Sequence, residues 1–159
     1  MNKKIILGLS LVLIAIMAIG SVSAFDLGSI LGGDDEDVAE NETVTIDGID
    51  FNIPAGFTED PQHATVNEQK EVSGITYVTN GKLYENNDTI VALLVADYGE
   101  YKVTDEIAQS VGGDAKTINN VSGYLTTDGD YKVFNYAKDD KLVVISATDE
   151  DVIADFIIE

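Results

Sequence analysis

The chain has no cysteine, no tryptophan, one histidine and two prolines among 159 residues. All nine basic residues are lysines, so arginine is missing as well. Without cysteine there is no thiol nucleophile, no disulfide framework and no thiolate zinc site. Without arginine there is no bidentate clamp for phosphate or carboxylate. Positive charge is scarce too: 9 Lys face 29 Asp+Glu, a net charge of −20. Nucleic acids are bound by clustered cations that neutralise phosphates, and a surface this acidic repels them. The recurrent motifs of catalysis are also lacking. There is no Gly-x-Ser-x-Gly elbow and no glycine-rich phosphate loop ending in Lys-Ser/Thr.

What is present begins with the N-terminus. Lys3 and Lys4 precede an apolar run over residues 5–19, broken only by Gly8 and Ser10. Small residues then lead to Ala24, with Val22 two positions before it. A short cationic start, an apolar centre and a small-residue exit make a secretory signal over residues 1–24, cleaved after Ala24. If cleavage fails, residues 5–24 nearly reach the roughly 20 apolar positions of a membrane-spanning helix and anchor the chain. No cysteine follows the cleavage point, so lipid attachment at a new N-terminus is excluded. Removal of residues 1–24 leaves 7 Lys against 29 acids, a net charge of −22.

Residues 25–43 carry seven acids, three glycines and no lysine. Self-repulsion and low hydrophobicity make this segment an acidic disordered linker. Its Asp34–Asp37 run lacks the alternating ligands and turn glycine of an EF-hand loop.

Residues 44–159 read as one globular domain in which most apolar residues alternate with polar ones, the period of half-buried strands. Asp47-Gly48 joins strands 43–46 and 49–53 in a two-residue hairpin. Val44, Ile46, Ile49, Phe51 and Ile53 then share one face. Residues 58–71 are polar, hold Pro61 and His63, and read as a loop or short helix. Asn80-Gly81 reads as a hairpin turn between strands 75–79 and 82–85. Strand 89–97 contains the most apolar run of this region and reads as a central strand buried on both faces. Thr104 caps a helix over 105–111 that Gly112-Gly113 ends. Strands 116–118, 123–127, 131–137 and 141–147 follow, with turns at Asp128-Gly129 and Asp139-Asp140. Thr148 caps a closing helix through Ile158. The fold class expected is α+β: a single antiparallel β-sheet built from hairpins, with two short helices packed on one face.

Functional candidates are few. His63 in a polar segment reads as a solvated histidine. Asp128, Asp130, Asp139 and Asp140 lie in turns where hard oxygen ligands can hold calcium, but aspartate is also the ordinary turn residue. No catalytic, metal or cofactor site is assigned. Three Asn-x-Ser/Thr acceptors occur, at Asn41, Asn87 and Asn120, where chance from this composition gives about one. All three fall in expected linker or turn positions, open to glycosylation.

The lysine-tipped leader, cysteine-free acidic body and the stretch Gly123-Tyr124-Leu125 … Tyr131-Lys132-Val133-Phe134-Asn135-Tyr136 … Asp140-Lys141-Leu142-Val143-Val144-Ile145 resemble small secreted proteins of methanogenic archaea. That class has no assigned activity, so the resemblance carries no site residues. Ile53-Pro54-Ala55-Gly56-Phe57 is similar to the early strand and Pro-x-Gly-aromatic turn of the PsbP-like α/β sandwich, with Phe57 in place of Trp.

Two functional classes follow. One is an exported cell-surface or secreted module, not an enzyme, binding an unknown protein or small-molecule ligand. The other is an extracytoplasmic hydrolase using acidic residues, with calcium assisting. Membrane contact is expected only through an uncleaved N-terminal segment.

Overall fold

The structure is a computed structural model that describes residues 40–72, 74–87 and 89–158. The leader with its cleavage point after Ala24, and the linker up to residue 39, lie outside the described residues.

Nine strands and two helices follow one another. They are β1 (Glu42–Ile46), β2 (Ile49–Ile53), β3 (Thr58–Val72), β4 (Ile75–Asn86), β5 (Thr89–Asp97), α1 (Asp105–Val111), β6 (Asp114–Ile118), β7 (Val121–Asp128), β8 (Tyr131–Lys138), β9 (Lys141–Ala147) and α2 (Glu150–Phe156). Strands β3–β9 form a seven-stranded sheet in the order β3-β4-β5-β9-β8-β7-β6, while β1 and β2 form a separate two-stranded sheet. The expected single sheet is thus corrected to two in a mostly β fold. The hairpin does not extend the larger sheet. It lies over one face, with Phe51 bridged to Ile157 beyond α2.

The central strands explain this layering. In β9, Val143, Ile145 and Ala147 point to one side, and Leu142 and Val144 to the other, all fully buried. β5 divides the same way, Val91, Leu93 and Val95 against Leu94 and Ala96. A sheet centre apolar on both faces must be covered on both. On one face the cover is the β1–β2 hairpin and α2, through Ile46, Ile49, Phe51, Ile53, Ile153 and Phe156. On the other it is α1, through Ile107, Ala108 and Val111, with Tyr77 and Tyr98 beside it. The helices therefore pack on opposite faces, not on one.

Turn chemistry agrees with much of the pattern. Asp47 and Gly48 both have positive φ, and Val44 faces Phe51 in the β1–β2 ladder, as the alternation predicts. Asp139 and Asp140 have positive φ between paired Lys138 and Lys141. α1 has the expected bounds, although the Thr104 hydroxyl makes no capping bond.

Four local expectations are corrected. Residues 58–71 are strand: β3 is a sheet-edge strand whose register to β4 shifts twice between Asp60 and Glu68. Edge position and irregular pairing remove the need for apolar alternation, and Pro61 is tolerated there. Asn80-Gly81 is no turn but lies inside β4, where Gly81 pairs with Leu94. A Cβ at Gly81 would meet the Leu93 carbonyl oxygen at 2.8 Å, so the glycine permits a close backbone approach. The residues between β7 and β8 are Gly129 and Asp130, one position later than read, because Asp128 pairs with Tyr131. Similarly, Asp149 rather than Thr148 caps α2, its carboxylate accepting the Asp151 N–H at 3.1 Å.

Candidate functional site

The three glycosylation acceptors occupy both ends of the sheet. Asn87 lies in the β4–β5 turn with φ +51, exposed to solvent. Asn41 precedes β1 at the same end; its side-chain oxygen accepts the Ala55 N–H at 3.1 Å, and Gly56 lies beside Asn86. Asn120 is exposed in the β6–β7 turn at the opposite end, with φ +60. All three residues are exposed, and the Asn87 amide donates to Asn86 Oδ1 at 2.8 Å.

The turn aspartates do not converge. Asp128 and Asp130 flank the start of β8, and Asp139 and Asp140 follow its end. Eight strand residues put the two pairs roughly 25 Å apart. Among the described residues no group of three or more His, Cys, Asp or Glu is placed to hold a metal ion.

The most connected charge cluster is one that sequence reasoning missed. Lys141, at the start of β9, donates to the Asp47 carbonyl at 2.5 Å. Its ammonium also lies 3.0 Å from Asp47 Oδ2 and 3.6 Å from Asp97 Oδ2. The lysine is only 20% exposed. One cation thus ties the β1–β2 turn to the end of β5 and the start of β9. Asp47 and Lys141 are 94 residues apart, so no local spacing announces the contact.

His63 has a partner. Its Nδ1 lies 2.6 Å from Asp60 Oδ2, within the irregular part of β3. The bond to His63, then the Gln62 N–H, hold the Asp60 carboxyl below its ordinary value. An Asp–His pair orients an imidazole, but acyl transfer also requires a nucleophile within hydrogen-bond reach. Among the described residues no hydroxyl bonds the ring.

Beside this segment an open cleft of 230 Å³ lies between β1, β3 and β4, lined in part by Asp47, Glu59, Asn80 and Lys82. It contains two carboxylates, the minimum for glycoside hydrolysis. Each is matched by a lysine: Asp47 by Lys141, and Glu59 by Lys82 at 2.7 Å. The cleft presents two ion pairs. Two further open clefts, of 480 and 210 Å³, flank the edge strand β6. The larger is lined by Gly113, Asp114, Ala115, Lys116, Leu125, Thr126 and Thr127.

Four of the seven tyrosines, Tyr77, Tyr84, Tyr98 and Tyr136, are buried in the core, while Tyr101 is exposed. Tyr77 and Tyr98 stack with ring centroids 4.9 Å apart on the α1 face, and burial pushes both phenols up. On the other face burial pushes Tyr84 up to about 12, helped by Glu59 and Glu42, and raises Tyr136 as well. These four rings are packing elements.

Comparison with known proteins gives no matching family model, no matching curated protein and no matching solved structure. Among the described residues the polar features are exposed turns, ion pairs, open clefts and the regularly paired edge strand β6. Among the described residues no helix is long and apolar enough to cross a membrane.

Proposed function

We propose that the protein is an exported cell-surface or secreted module that binds a partner or ligand without transforming it. The observation that carries this reading is the N-terminal pattern, Lys3-Lys4, the apolar run over residues 5–19 and the small-residue exit at Ala24. Support comes from the domain's chemistry. The cleft carboxylates are taken up by lysines, His63 faces Asp60 without a nucleophile, and the buried phenols are packing groups. The resemblance to secreted archaeal proteins points the same way. In this reading Asn41, Asn87 and Asn120 carry glycans at exposed positions, and the acidic surface keeps the domain soluble.

Intact-mass measurement on native protein from separated cell fractions tests it. The expected result is material outside the cytoplasm that lacks residues 1–24 and carries added sugar at one or more acceptors. Full-length, unmodified protein confined to the cytosol would overturn the proposal. A screen of glycosides and esters with the same material should show no turnover.

A further inference from the structure

The two edges of the seven-stranded sheet are built differently. β3, at one edge, has Pro61 and two register shifts, the devices that stop an edge from pairing with another chain. β6, at the other edge, has neither. It is five residues long with regular pairing to β7, Asp114↔Leu125 through Ile118↔Val121. Only Asn119 and Asn120 separate the two strands, both at positive φ. In such a two-residue hairpin the closing pair, Ile118↔Val121, is hydrogen-bonded, and bonding alternates along the strand. Asp114, Lys116 and Ile118 therefore bond to β7. Ala115 and Thr117 turn their N–H and C=O groups outward, and the residues from Asp114 to Thr117 are exposed. A regularly paired edge strand with outward backbone groups is a template for another strand.

The charges on this edge select what pairs with it. Asp114 and Lys116 point to the same face, two residues apart. Antiparallel pairing of β6 with a second copy, with Ala115 opposite Ala115 of that copy, puts Asp114 opposite Lys116 and Lys116 opposite Asp114. Both cross-strand pairs are then attractive. A shift of one step either way places Asp114 against Asp114 or Lys116 against Lys116, which is repulsive. We propose that β6 is a homodimerisation edge, joining two copies about a two-fold axis into one continuous fourteen-stranded sheet. The two open clefts beside β6 leave room for the second copy's flanking side chains on both faces. The contact is small, so the dimer is a reversible one. It does not depend on export or on glycans.

Sedimentation velocity of the purified protein across a wide concentration range tests the proposal, with far-UV circular dichroism as a check on folding. Wild type should show a concentration-dependent dimer. Asp114→Lys and Lys116→Asp, each alone, should weaken self-association by about tenfold or more, since each turns two attractive pairs into like-charge pairs. Lys116 also pairs with Glu150 at 2.6 Å, but an exposed pair of this kind adds little stability, so the monomer survives its loss. Mixing the two variants in equal amounts should restore dimer, because the mixed pair is complementary at both contacts. Ala115→Pro removes an outward N–H without touching the β6–β7 ladder and should abolish dimer while leaving the fold intact. A monomeric wild type, a dimer unaffected by either charge change, or a mixture no tighter than its components would each overturn the assignment.

Discussion

Phe51→Ala tests whether the β1–β2 hairpin is an integral layer or a detachable flap. Phe51 is 0% exposed, lying on the hairpin's inner face against the sheet and bridged through its backbone to Ile157. Burying a phenylalanine removes roughly 150–200 Å² of apolar surface from water. At about 25 cal/mol per Å² that is about 4 kcal/mol. Alanine retains a small part of this burial, while the cavity it leaves adds a penalty, so the expected loss is about 3–5 kcal/mol. Against a typical domain stability of about 5–15 kcal/mol the effect is large. Urea unfolding followed by far-UV circular dichroism and tyrosine fluorescence gives the measurement, the chain having no tryptophan. Wild type and variant should each unfold in one transition with similar slopes and well-separated midpoints. Val66→Ala, at a residue 73% exposed, serves as control and should stay within about 0.5 kcal/mol. A loss below about 1 kcal/mol for Phe51→Ala, or a separate early transition in wild type, would refute the layered core.

Three further outcomes follow from the structure. Lys141→Met removes the cation between Asp47 and Asp97 and should lower stability by about 1–3 kcal/mol in the same assay, more than Lys102→Met, whose pair with Asp140 is exposed on both sides. Asp60 has a lowered folded-state pKa, so its bond to His63 contributes stability above the ordinary carboxylate value of 3.8 that is lost as pH falls through the folded value. The gap in urea midpoint between wild type and Asp60→Asn should therefore be open at neutral pH and close in strong acid. Gly123→Ala places a Cβ 2.5 Å from the Asn135 carbonyl oxygen and 2.6 Å from the Phe134 ring; the backbone cannot yield cheaply, and thermal unfolding should report a loss of about 1–3 kcal/mol.

Local rules located the elements where one local signal decided them. Asp47-Gly48 and Asp139-Asp140 are hairpin turns because consecutive positive-φ positions leave few alternatives. The bounds of α1 followed from Thr104 and Gly112-Gly113. Where competing demands meet, the pattern misled. The Asn80-Gly81 dipeptide has the chemistry of a turn, yet the Asn80 side chain accepts the Asn67 N–H across the β3 irregularity at 2.7 Å, and Gly81 makes room for Leu93. β3 was illegible because an exposed edge needs no apolar rhythm. Sheet membership of β1 and β2 was also hidden, since a hairpin's alternation fixes which face is buried and not what buries it. The unbroken apolar run of residues 142–145 held the clue to the helices: a strand buried on both sides needs cover on both. For the candidate site, the three Asn-x-Ser/Thr matches, whose asparagines are exposed, were readable from spacing alone. The Lys141 cluster was not, because only folding brings its members together.

The strand order has a consequence for how the molecule is made. β9 occupies the middle of the large sheet, between β5 and β8, although it is the last strand in the chain. The first half of the sheet cannot reach the second until that final strand has been synthesised, so a nascent chain lacks its keystone. Such a topology commits the domain to closing late, through long-range pairing.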